Sequence, residues 1–175
     1  MANSNDEGRK IMQGCRMTTH PTTEPTIDPT SDLTTESTRT EQAAAGIRFS
    51  GTFTLDSWDQ QDDAPRDGSV LSHVRLAKTL SGDLVGTSTA DLLLIGTDSG
   101  SRAYCGFERL TGAVAGRTGS FMLRHAAEGD AAGGWMTWQV MIGSGTGELA
   151  GVRGEGQIVR HEDGGHSYTL DLSFT

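Results

Sequence analysis

The chain has 175 residues, 34% of them hydrophobic and 21% charged, which is one domain's worth of polypeptide with room for a tail. Lys and Arg number 14 against 23 Asp and Glu, a net charge of -9 that repels phosphate backbones and offers no polybasic patch for anionic membranes. Nucleic-acid and membrane partners are therefore not expected, and the 24 glycines lack the three-residue period of a collagen-like chain.

The first residues are polar and no apolar run follows them, so no secretory leader is expected and a cytoplasmic location follows. Runs such as Leu92–Gly96 fall far short of a bilayer span. Cys15 and Cys105 sit in unrelated contexts and predict free thiols, with Cys105 buried and inert among its aromatic neighbours. Residues 1–46 contain no Phe, Trp or Tyr and hold Pro21, Pro25 and Pro29. The Thr-, Ser- and acid-rich stretch 18–40 buries too little surface to offset chain entropy. A weak helix is expected over Glu7–Met17, where Ile11 and Cys15 are four apart and Met12 lies beside them. Residues 1–46 thus read as a flexible extension, either a plain leader or a lid that docks Ile11 and Met12 on the domain formed by residues 47–175.

That domain reads as all-β. Period-two alternation recurs between glycine clusters. Phe49, Phe53 and Leu55 share a face of the first strand. Further strands are predicted over 70–80, 87–95, 102–110, 120–126, 135–142, 156–161 and 167–174. Three segments echo one another: Gly82–Gly86, Gly112–Gly116 and Gly147–Gly151 share a G-x-[LV]-[AV]-G pattern suited to repeated strand–turn units. No phosphate loop is present. About eight antiparallel strands must protect their edges, and closure into an eight-stranded barrel is expected rather than a sandwich.

Candidate chemistry lies on those strands. Glu108 stands in an apolar, aromatic strand and, if it faces inward, is a desolvated carboxylate needing a partner, for which Arg75 or Arg124 is expected. Tyr104, four residues earlier, shares its face and supplies a donor. Trp135, Met136, Trp138, Gln139 and Met141 look like a pocket wall, offering rigid aromatic area, an adaptable thioether and an amide. His73, His125 and Arg124 are strand residues that can reach the same lumen. Each of these side chains also has a plain reading as ordinary core, a satisfied histidine or a structural ion pair. The expected site is an apolar cavity with few polar anchors: Gln139, Glu108 and Tyr104 as catalytic groups and the others lining the pocket. No metal-ligand spacing or covalent-catalysis elbow is present, so neither metal nor cofactor is expected.

The strings GTFTLDSWDQQ (51–61), KTLSGDLVGTSTADLLL (78–94), GFERLTGAVAGRTGSFMLRH (106–125) and GSGTGELAGVRGEG (143–156) resemble an uncharacterised family of small bacterial barrels with an allene-oxide-cyclase-like fold. The resemblance spans nearly all of residues 47–175 and implies eight antiparallel strands. Some barrels of this general type are cyclases in bacterial antibiotic and other natural-product biosynthesis. They close spirotetramate or spirotetronate rings on polyketide-derived chains by intramolecular Diels–Alder (4+2) cycloaddition, and one type carries an N-terminal lid. The resemblance thus implies a cofactor-independent cyclase that folds a linear polyene. The alternatives are a noncatalytic carrier or sensor of an apolar small molecule, or a structural module. All but the last require a hollow, largely apolar interior. Outward apolar strand faces permit a homodimer.

Overall fold

The computed structural model describes residues 46–175; Ile11, Met12, Cys15 and the rest of the extension lie outside the described residues. The strands are β1 (Ile47–Asp62), β2 (Ser69–Gly82), β3 (Leu84–Thr97), β4 (Arg102–Val114), β5 (Arg117–Asp130), β6 (Gly133–Val140), β7 (Arg153–Arg160) and β8 (His166–Ser173). Each pairs antiparallel with the next, and β1 closes on β8, so the eight strands form a closed barrel in chain order. No α-helix occurs among the described residues; a single 3-10 turn spans Gly147–Leu149. No helix there is long and apolar enough to cross a membrane.

Most strands outrun their predicted bounds because the hairpins stay paired up to their turns. The β4–β5 ladder reaches Val114 opposite Arg117, and Ala115 and Gly116 turn the chain with φ of 53° and 73°. Two consecutive positive φ values match the right-handed strand twist, which explains a two-residue connection there. β6 instead stops early, and Met141 and Ile142 leave the sheet before the 3-10 turn.

Alternation places Phe49, Gly51, Phe53 and Leu55 on the inner face of β1. A bulge then breaks the register between Leu55 and Ser57, leaving Asp56 without a register partner on β2, although its carboxylate accepts a hydrogen bond from the Thr79 hydroxyl at 2.8 Å. The inserted residue flips the phase, so Trp58 and Gln60 become the inward positions. Simple period-two counting from Phe49 would have sent Trp58 outside.

The three glycine echoes share an end of the barrel. Their third residues, Leu84, Val114 and Leu149, are 0%, 1% and 0% exposed and belong to one apolar cluster with Phe121, Trp138 and Tyr168. These residues close a floor. The Glu148 carboxylate accepts hydrogen bonds from the Thr118 N–H at 2.9 Å and the Thr118 hydroxyl at 2.8 Å, tying the 3-10 turn to β5. The Tyr168 hydroxyl donates to the Leu84 carbonyl at 3.0 Å and accepts from the Leu84 N–H at 3.2 Å.

Tyr168 fits because residue 51 is glycine. A Cβ there would stand 2.0 Å from the Ser81 carbonyl oxygen and 2.4 Å from the Tyr168 hydroxyl. Gly51→Ala is therefore expected to lower unfolding free energy by about 1–3 kcal/mol through overpacking, read from urea denaturation.

Candidate functional site

Five consecutive strands each send one polar side chain to the middle of the lumen. Glu108 of β4 is 0% exposed. Its Oε2 accepts hydrogen bonds from Lys78 Nζ of β2 at 2.9 Å, His125 Nε2–H of β5 at 2.5 Å and Trp138 Nε1–H of β6 at 3.2 Å. Its Oε1 accepts from the Ser88 hydroxyl of β3. The Lys78 ammonium also lies 4.7 Å from the Phe53 ring centroid and 5.8 Å from that of Trp138, within cation–π range.

Burial pushes the Glu108 carboxyl up, but the Lys78 charge and the hydrogen bonds from His125 and Ser88 outweigh it and hold it well below the usual carboxylate range. Burial pushes His125 down, and the nearby Lys78 charge acts in the same direction against the pull of Glu108. His125 Nδ1 is buried without a hydrogen-bond partner, so a protonated ring would strand an N–H donor there. The centre is thus a neutral imidazole donating to a lysine–carboxylate pair. Every oxygen of the carboxylate is engaged and none reaches solvent, so Glu108 organises the lumen rather than offering a free base.

The side chains do not leave the hollow lumen expected from the sequence. Trp138, Tyr168, Phe121 and the floor leucines fill the lower part, and Val74, Leu76, Ala90, Leu92, Leu94, Tyr104 and Ala127 form a second cluster toward the other end. Free space lies at the rim. The β1–β8 ladder ends at Phe53 opposite His166, while β1 continues to Asp62. The notch between them is a cup of about 320 Å³, lined by Phe53, Thr54, Leu55 and Trp58 on one side and by Arg160, Gly164, Gly165 and His166 on the other. The rings of Phe53 and His166 stack at 4.8 Å with 18° between planes. The Phe53 ring, in contact with the Lys78 ammonium, also links the cup to the buried centre.

Of the residues singled out from the sequence, Glu108, Tyr104, His125, Trp138 and Met136 stand on the inner face. Gln139, Arg124, Trp135 and His73 point to the outer face, since they fall in the opposite phase of β5, β6 and β2. Gln139 accepts a hydrogen bond from the Arg124 guanidinium there. Met141 is 51% exposed just past β6 and, with Gln139, Arg124 and Phe107, lines an outer groove of about 720 Å³. Glu108 pairs with Lys78, not with Arg75 or Arg124: Arg75 is bonded to Asp91 on the outside. Cys105 is exposed rather than buried. Lys78 and Ser88 were legible as polar residues in phase with Val74, Leu76, Leu80 and with Leu84, Ala90, Leu92. Trp58 was hidden by the bulge, and Arg160 and His166 by their position at the ends of short strands.

Removing one partner of a buried ion pair leaves an uncompensated charge. Lys78→Met is expected to cost about 3–5 kcal/mol, and Glu108→Gln added to it to restore a large part of that loss, as measured by urea unfolding of the single and double variants. A folded-state histidine pKa below its unfolded value contributes stability that is complete above about pH 6.5 and erodes as pH falls past it. Burial, helped by Arg160, lowers half-buried His166 in the same direction as His125. The lowered Glu108 adds a second loss beginning below about pH 4.3. The melting temperature is therefore expected to hold steady above neutrality and to fall between pH 6.5 and 5, with His125→Gln flattening that limb.

No curated protein matches the chain. Among solved structures, it is similar to a protein of unknown function from the DUF3224 family of Shewanella oneidensis MR-1, with a TM-score of 0.65 and 27% identity over 74% of this chain and 98% of that one. The family described as "Protein of unknown function (DUF3224)" matches residues 49–172, nearly the whole barrel, and the chain belongs to that family.

Proposed function

We propose that this protein binds a small, largely apolar molecule in the rim cup between β1 and the β7–β8 hairpin. The observation that carries the reading is the combination of volume and lining: about 320 Å³ walled by Phe53, Leu55 and Trp58. That volume is at the low end of ligand pockets, and a few polar groups opposite an aromatic wall are their usual composition. The outer groove is larger, but its Gln139 and Arg124 already satisfy each other.

A cofactor-independent cyclase that bends a polyene for spiro-ring cycloaddition is the narrower form of this reading. Such catalysis needs the reacting ends enclosed and held together. Among the described residues the cup is open on one side, Glu108 is sealed in the lumen, and Gln139 faces outward. Binding without conversion is the form these features favour.

Fluorescence titration of the full chain with N-phenyl-1-naphthylamine, a neutral apolar probe, tests the reading. Saturable binding is expected, weakened about tenfold by Trp58→Ala through lost aromatic burial and retained by Phe107→Ala on the outer groove. Absence of binding, or sensitivity to Phe107→Ala in place of Trp58→Ala, would refute it.

A further inference from the structure

The two walls of the cup differ in chemistry. β1 presents Phe53, Leu55 and Trp58, whereas the β7–β8 hairpin presents Arg160 and His166. We infer that the molecule held there carries a carboxylate, seated against the Arg160 guanidinium and the His166 imidazole, with its apolar body laid along Trp58 and Leu55. This inference rests on the reading of the cup as a ligand site and adds the charge and polarity of its occupant.

Three features support it. Among the described residues no carboxylate lines the cup, although the whole chain carries 23 acids against 14 bases. The turn acid Asp163 accepts the Gly165 N–H on its Oδ1 at 2.8 Å. Burial first, and then the charge of Arg160 beside it, hold the His166 imidazole toward its neutral form, so Arg160 supplies the charge and His166 a neutral ring donor. A guanidinium at the edge of an aromatic-walled notch favours an anion over a neutral head of equal shape. Arginine suits the task because its planar fork offers several donors to one carboxylate, even where one of them is engaged elsewhere. Glu162 and Asp163 belong to the same turn and are not among the residues that line the cup.

Naphthalene-1-acetate and naphthalene-1-acetamide have the same body and nearly the same shape but differ in charge. Calorimetric titration of each into the full chain at pH 7.5 reads the preference directly. The acid is expected to bind about tenfold more tightly than the amide, as a charge-assisted contact predicts, and the ratio is expected to fall toward one in Arg160→Gln. Equal affinity of acid and amide, or a ratio unchanged in Arg160→Gln, would overturn the carboxylate while leaving the cup a binding site. Failure of both compounds and of the neutral naphthylamine probe would remove the cup itself.

Discussion

One carboxylate organises the lumen. Glu108 is wholly buried and draws donors from β2, β3, β5 and β6, so five neighbouring strands must hold their relative register for it to be satisfied. A one-residue slip of β2 would carry Lys78 to the solvent face and leave the charge bare. A buried ion pair is weak evidence for stability in itself, because desolvation offsets most of the attraction. Its clearest physical consequence here is positional: alternative pairings of these strands are costly.

The polar centre divides the barrel into unequal halves. Below it, bulky side chains and the glycine-echo residues Leu84, Val114 and Leu149 complete a solid floor. Above it, the second apolar cluster leads to the rim, where β8 begins opposite Phe53, nine residues short of β1's far end at Asp62, and the wall is notched. The bulge at Asp56 turns Trp58 into that notch, and the same hairpin that shortens β8 delivers Arg160 and His166. Local irregularities in strands, not the regular barrel, therefore shape the space a ligand can enter.

The Phe53 ring joins the two regions. It stacks on His166 in the cup and takes the Lys78 ammonium against its π system. A ligand carboxylate at the rim would share the field of the same lysine whose charge Glu108 already balances.

Alternation and glycine spacing are local properties, and they sufficed for the all-β class, the number of strands and the antiparallel closure. They also put Glu108, His125 and Trp138 among the strand residues able to reach the lumen, and left open which face of each strand lines it. The partner of Glu108 was another matter: Lys78 and Glu108 are 30 positions apart, and only the register of β2 against β3 and of β3 against β4 brings them together. Gln139 and Trp135 were assigned to a pocket from their chemistry, but the phase of β6 turns them outward. The cup escaped notice because a single inserted residue reverses the face of Trp58, and because its two walls come from opposite ends of the domain's sequence. Pairing across a closed sheet, rather than composition along one strand, decides which side chains share a space.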